Sequence, residues 1–485
     1  MDKPAYRAAR WSYDVTDLKT GKMLLASRAG EMAFTASTAK QFTVGAVYNT
    51  MGPDSRITTP VYAAGSVSGG VLNGDLALVA SGDLTMGGRN AAEGHADDSF
   101  GAKTIDHVYG DLGDNAVKAP GDPLAGLNSL AKQVAAKGIH QISGNVLIDD
   151  RLWEPYAGGE GTVQPMFIND NVLDITVTPG ASGAVAAVAQ SPATAAYQVT
   201  SQVTTESGSG VALQVAADPS APRHLVVSGS IGVDAGQRLT IYRIPDPASW
   251  ARTLFIEALQ RAGVAVTADP LADNSEATLP AKDSYAATAQ VAKFTSPPVS
   301  AFGSLILRTS YNTGANTLLC LLAVHEKSTD CNDGLKPIRA MAAKAGLNAS
   351  EVALIDGQGA DPASMPPTQM VKYLRWTHGQ SWGAALKAGQ PVFGESGTLA
   401  SNGMDSPAKG KIQAKTGTSA HGIIGTDRIL YNVQRLAGFM TAPNGDQLVF
   451  DVAMSGGVYP DLATSLTQSG KDVSDVAAAI RQEMK

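Results

Sequence analysis

Several ingredients are scarce in this chain. Of its 485 residues only two are cysteine and seven histidine; 6% are aromatic and 17% charged. The cysteines, Cys320 and Cys331, are not spaced as a C-x-x-C redox or metal pattern. The histidines form no H-E-x-x-H pair. Positive charge is in deficit, with a net charge of −7, which argues against a nucleic-acid-binding surface. No apolar run reaches the roughly 18 residues that span a bilayer. The opening MDKPAYRAARW has no apolar core, so no signal peptide is expected within this chain. What is present is globular: apolar residues make up 44%, enough to exclude wholesale disorder. The 51 glycines and 25 prolines show no G-X-Y period and predict many turns.

The length suits two or three domains. Residues 11–15 and 23–26 read as a hairpin around Lys19-Thr20-Gly21-Lys22. Ala36-Ser37-Thr38-Ala39-Lys40 leads into a helix, with Ser37 in its first turn. Residues 61–63 and 76–80 flank Asn73-Gly74, a strong hairpin signal. Residues 87–119 read as a polar, Gly-rich loop. A helical face at Leu127, Leu130 and Val134 ends at Gly138. Strands are expected at 144–149, 172–177, 195–203, 211–215, 224–227 and 238–242. Ser249 reads as the N-cap of a helix closed by Gly263. Further helices are expected at 315–325, 366–376 and 472–484. Asn444-Gly445 marks a closing hairpin between 436–441 and 447–453. These elements predict an α/β (α+β) fold, with residues 1–61 and 286–485 forming one domain. Residues 62–285 would form a mostly β insertion, with a nested subdomain at about 90–160.

Three short motifs carry chemistry. Ser37 and Lys40 stand at i and i+3, on one helical face. A desolvated lysine beside a serine hydroxyl can lose its proton and act as the serine's base. Ser310-Tyr311-Asn312 is a Ser-x-Asn just before a helix. Lys415-Thr416-Gly417-Thr418 is a Lys-Thr-Gly at the end of a short strand, 411–414. Each pattern recurs elsewhere: at Ser129/Lys132 and Ser406/Lys409, at Ser143-Gly144-Asn145, and at Lys19-Thr20-Gly21. None of these copies completes the three motifs in this order with these contexts.

The ordered set is that of serine penicillin-binding proteins and β-lactamases. The chain resembles the penicillin-binding protein 4 (DacB, S13) family of D-alanyl-D-alanine carboxypeptidases. Gly121-Asp122-Pro123, Gly138-Ile139, Gly144-Asn145-Val146-Leu147-Ile148-Asp149, Asp356-Gly357-Gln358-Gly359 and Leu436-Ala437-Gly438-Phe439 carry the likeness further. The 269 residues between Lys40 and Ser310 match that family's large insertion and are too many for a simple β-lactamase. The resemblance implies a β-lactamase/transpeptidase-like core with that insertion between the first and second motifs. It implies Ser37 as nucleophile, Lys40 as its base, Ser310 as general acid and Asn312 as a positioning group. Lys415 would supply positive potential for the substrate carboxylate, which Thr416 and Thr418 would bind, with Gly417 between them. The backbone amides of Ser37 and Thr418 would form the oxyanion hole. The substrate implied is a peptidoglycan peptide ending in D-Ala-D-Ala, with β-lactams as covalent inhibitors and no cofactor or metal. The implied setting is periplasmic or extracellular, which favours a Cys320 to Cys331 disulfide.

Three departures from that pattern stand out. Tyr311 occupies a position where relatives often carry Asp or Asn, and reads as permissive. Gln358-Gly359-Ala360-Asp361 lacks the usual Ser and Leu, which questions a role for that loop. Residues 419–435, with His421, look like a long excursion beside the site. Glu93, His95, Asp97, Asp98, Asp106 and His107 read as a solvated acidic loop before a metal site. Asp149-Asp150-Arg151 reads as a strand end before a carboxylate dyad. A β-lactamase or esterase on the same core, and a silent cell-wall-binding protein, stay open as alternatives. So do carboxypeptidase versus endopeptidase preference and oligomeric state.

Overall fold

The computed structural model describes residues 3–89, 104–113, 115–158 and 160–484. It is a mixed α/β fold. The chain opens with the expected hairpin, β1 (Arg10–Asp17) and β2 (Met23–Ser27). A 3-10 turn, Ala36–Ala39, runs directly into α1 (Lys40–Met51). Residues 40 to 48 of this helix are all buried, so it lies inside the core rather than on its surface.

From here the chain leaves the helical core. β3 (Arg56–Ser68) and β4 (Val71–Val79) pair antiparallel. Their turn is not at Asn73-Gly74 as expected, but at Gly69-Gly70, where φ is +57° and +81°. Two positive φ angles are what a two-residue hairpin needs. Gly74 instead lies within β4 opposite Gly65, where a Cβ would stand 2.1 Å from the Ala64 carbonyl oxygen. α2 (Ala125–Ala136) ends before Gly138 at φ +81°, and β5 (Val146–Asp149) runs parallel to β4. Then come β6 (Val172–Thr178), β7 (Gln198–Glu206), β8 (Val211–Asp218), β9 (Ala221–Gly232) and β10 (Arg238–Arg243). β6 pairs with β10, and β9 lies between β7 and β8. α3 (Pro247–Arg261) is capped not by Ser249 but by Asp246, which accepts the Ser249 N–H at 3.0 Å. Pro247 takes the first helical position, where no donor is required.

β11 (Gln290–Pro298) closes this sheet against β3. One apolar cluster, including Val61, Leu76, Leu127, Ile148, Leu173, Leu225 and Leu254, runs through most of the region, while Leu84, Val108, Trp153, Val163 and Phe167 join the helical core. The chain between the first two motifs is therefore a mostly β insertion with its own core. β3 and β11 extend to Arg56 and Pro298, outside the expected borders at 61/62 and 285/286. Within the stretch expected as a nested subdomain, α2 and β5 build into this same sheet and core.

The chain then returns with α4 (Val299–Thr309), α5 (Asn312–His325), α6 (Leu335–Lys344) and α7 (Pro367–His378). Cys320 and Cys331 are bonded, tying α5 to the turn after it. β12 (Ile412–Gly422), β13 (Ile429–Thr441), β14 (Gln447–Ser455) and α8 (Leu462–Glu483) complete the fold. α8 starts well before the expected residue 472, with Asp461 accepting the Thr464 N–H at 2.7 Å. The antiparallel sheet order is β2-β1-β14-β13-β12. Phe439 and Val449 join the helical core, while Leu436, Met440, Leu448 and Phe450 face Val473 and Ala477 of α8. That period-two alternation marks a sheet covered on both faces.

Two expectations change at β12. The strand does not stop at Ala414 but carries Lys415-Thr416-Gly417-Thr418 within it. Residues 419–435 are mostly strand around a turn at 423–428: pairing continues from Ser419 opposite Val433 to Gly422 opposite Ile429.

Candidate active site

The fold brings the three motifs together. Lys40 is the first residue of α1, Ser310 and Asn312 flank the α4–α5 junction, and Lys415 lies on the edge strand β12. Lys40 Nζ stands 2.7 Å from Ser37 Oγ. It also donates to Asn312 Oδ1 at 2.5 Å and to the Gln358 carbonyl at 3.2 Å. Lys415 Nζ donates to Ser310 Oγ at 2.9 Å and to the Thr416 carbonyl at 2.8 Å. Thr416 Oγ1 pairs with Thr398 Oγ1 at 2.8 Å, and Thr418 Oγ1 donates to Gln434 Oε1 at 3.0 Å. Gly417 is set by close approach: a Cβ there would lie 2.7 Å from the Thr35 carbonyl oxygen. That contact places the Ser37 and Thr418 backbones on adjoining segments.

Both lysines are fully buried. Burial pushes Lys40 down to about 7, against the opposing pull of the Glu160 and Asp356 carboxylates. Burial, with Lys40 adding to it, holds Lys415 well below the usual lysine range. The site thus holds two desolvated amines, of which Lys40 is poised near neutral pH.

Several contributors carry no motif. Glu160 of the insertion accepts from Asn312 Nδ2 at 2.5 Å and from Thr313 Oγ1 at 3.2 Å. Tyr109, also of the insertion, donates to the Ser310 carbonyl at 2.8 Å. The loop at 356–359 is built into the site after all. The Gln358 carbonyl meets Lys40, and Asp356 accepts the Gly359 N–H at 2.7 Å. Gly359 (φ +88°) presses on the segment before Ser37, where a Cβ would lie 2.0 Å from the Ala36 carbonyl oxygen. Tyr311 is buried, with its ring against Gly314. Asp361 accepts from Ser419 Oγ at 2.6 Å and from Asn432 Nδ2 at 2.7 Å, and His421 lies 3.7 Å away.

The acidic-loop reading changes most. Glu93, His95, Asp97 and Asp98 lie outside the described residues. Asp106 and His107 are buried, not solvated. Arg89 donates to both Asp106 oxygens at 2.7 and 2.8 Å and to Asp170 at 3.0 Å. His107 bridges Asp170 at 2.9 Å and Asp174 at 2.8 Å. Asp149 pairs with Arg151 at 2.7 Å and accepts from Tyr285 at 2.9 Å, while burial beside Glu276 pushes Asp150 up to about 7.

A serine paired with a buried amine, a second serine paired with another, and an edge strand beside both define a class. This is a serine acyl-transfer enzyme on a β-lactamase/transpeptidase-like core. The chain matches the model of the D-Ala-D-Ala carboxypeptidase 3 (S13) family over residues 1–476. It belongs to that family and is a serine-type D-Ala-D-Ala carboxypeptidase. It is 25% identical to a D-alanyl-D-alanine carboxypeptidase of Actinomadura sp. (strain R39), over 94% of this chain and 79% of that one. It shares its fold with penicillin binding protein 4 (dacB) from Haemophilus influenzae, at 18% identity and a TM-score of 0.70, covering 98% of this chain and 97% of that one. The same Haemophilus protein complexed with a novel β-lactam matches at 17% identity and a TM-score of 0.69, covering 99% and 97%.

Proposed function

We propose that the chain removes the terminal D-Ala from peptidoglycan stem peptides through an acyl-enzyme on Ser37. The observation that carries this is the 2.7 Å contact between Ser37 Oγ and the buried Lys40 amine. With its pKa near 7, a substantial fraction of Lys40 is neutral at neutral pH. Ser37 Oγ attacks the carbonyl between the two D-alanines and passes its proton to Lys40. Ser310 protonates the leaving nitrogen and takes a proton back from Lys415, its hydrogen-bond partner. D-Ala departs, and water then hydrolyses the ester. Asn312 holds Lys40 through Oδ1 and is itself held by Glu160. The substrate carboxylate docks against Lys415, Thr416 and Thr418, and its charge draws a proton onto Lys415. The Ser37 and Thr418 amides receive the oxyanion; one such donor is typically worth about 10²–10³ in rate.

A β-lactam enters as an acyl-D-Ala-D-Ala mimic and acylates Ser37, its tethered leaving group hindering hydrolysis. Cross-linked stem peptides present the same D-Ala carbonyl, so endopeptidase activity belongs to the same proposal. The substrate and the Cys320 to Cys331 bond support an extracytoplasmic setting. Among the described residues no helix is long and apolar enough to cross a membrane.

The test is fluorescent penicillin with wild type and Ser37→Ala, read by gel and by peptide mass mapping. A label on Ser37, absent from the mutant, is expected. Intact drug and unlabelled wild type would contradict the reading, and rapid drug consumption without label would favour a β-lactamase.

A further inference from the structure

The second motif has an unusual backbone. Ser310 sits at φ +63° and ψ +29°, a left-handed conformation that a non-glycine residue holds only when its surroundings enforce it. Its turn separates α4 from α5, and it sets where two side chains point: Ser310 Oγ toward Lys415 and Asn312 Oδ1 toward Lys40. No side chain of α5 caps its N-terminus there. One hydroxyl from the insertion does the work of a cap. Tyr109 Oη donates to the Ser310 carbonyl at 2.8 Å and accepts the Asn312 N–H at 3.3 Å. A single atom thus clamps the residues on both sides of Tyr311, and satisfies one of the unpaired N–H groups that open a helix.

Tyr109 is anchored more firmly than a surface side chain. It ends the 3-10 turn His107–Tyr109, which Asp106 caps by accepting the Val108 N–H at 3.1 Å. Asp106 is held by Arg89, and His107 by Asp170 and Asp174. Arg243 donates to the Val108 carbonyl at 2.8 Å and pairs with Asp111. Burial and the nearby Glu160 carboxylate keep the Tyr109 hydroxyl protonated, as a donor must be.

We infer that Tyr109 is a positioning residue through which the insertion sets the geometry of the proton relay at the second motif. The inference rests on the assignment of Ser310 and Asn312 to that relay. A merely structural cap would cost stability and leave the chemistry alone; a positioning group changes the acylation step of a folded enzyme.

The experiment is stopped-flow acylation by benzylpenicillin of wild type, Ser37→Ala and Tyr109→Phe, with thermal unfolding alongside. For Tyr109→Phe the limiting acylation rate should fall roughly 10- to 100-fold, with the preceding binding constant within about twofold. A limiting rate within about twofold of wild type would overturn the inference, as would a loss matched by loss of folded protein. If Tyr109→Phe does not fold, 3-fluorotyrosine at position 109 keeps size and hydroxyl but alters acidity. The limiting rate must then change, and an unchanged rate overturns the inference. Wild type that takes no label on Ser37 would remove the underlying assignment and the inference with it.

Discussion

Two buried clusters of the molecule handle charge in opposite ways. At the site, Lys40 and Lys415 hydrogen-bond to neutral groups, and burial drives both toward the uncharged amine, Lys40 against a weaker pull from Glu160 and Asp356. In the insertion, Arg89 and His107 are sealed among Asp106, Asp170 and Asp174, and both cations have carboxylate partners. Burial alone would lower His107, but Asp174 and Asp170 overcome it and push it up to about 10. Burial would likewise raise Asp170, but Arg89 and His107 hold it down at about 2. Compensated charge fixes a shape; uncompensated charge is chemically poised. Tyr109 and Glu160 join the two regions, because each reaches from the insertion into the second motif.

The largest expected effect removes the poised side. Ser37→Ala should lower turnover of a D-Ala-D-Ala peptide by about 10⁴-fold or more with folding intact, measured by D-Ala release. Breaking the compensated side should act on stability instead. Arg89→Leu strands buried carboxylates and should cost about 3–5 kcal/mol by denaturant unfolding. An unchanged midpoint would show that the network is not needed for the fold.

The pH dependence of stability has a definite sign. His107 has a folded pKa raised above the ordinary histidine value. Its stabilisation is complete below about 6.5 and is lost as pH rises toward about 10. Unfolding of His107→Gln should lack that decline. Glu160→Gln sharpens the comparison from the catalytic side. The Glu160 carboxylate raises Lys40, so its removal should lower Lys40 further and move the rising limb of kcat/KM to lower pH. A shift to higher pH would contradict the assignment. The smallest effect is expected at the rim. Asp361→Asn leaves the Ser419 and Asn432 contacts partly made and should change stability by less than about 1 kcal/mol.

Local signals carried the core and much of the insertion. The three motifs each needed only residue type and short spacing, and their order separated them from the copies at Ser129, Ser406, Ser143 and Lys19. Strand alternation and Gly138 or Gly263 located most elements. What escaped was tertiary. Tyr109 and Glu160 are ordinary residues in polar sequence, and only the return of the chain through β11 and α4 brings them to Asn312. Asp106 and His107 looked solvated because sequence shows their polarity and not the Arg89, Asp170 and Asp174 that neutralise it. Asn73-Gly74 failed because Gly69-Gly70 offered both positive φ angles four residues earlier. Ser249 lost its cap to Asp246 because Pro247 fixes the first helical position.

The most direct test of the central claim is the pH profile of β-lactam acylation at Ser37 in the wild type. The burial of Lys40, offset only in part by Glu160 and Asp356, predicts a rate that rises with pH through about 7, as its amine loses its proton. A rate flat across that range, or one that rises only near the ordinary lysine value of about 10.4, would contradict it.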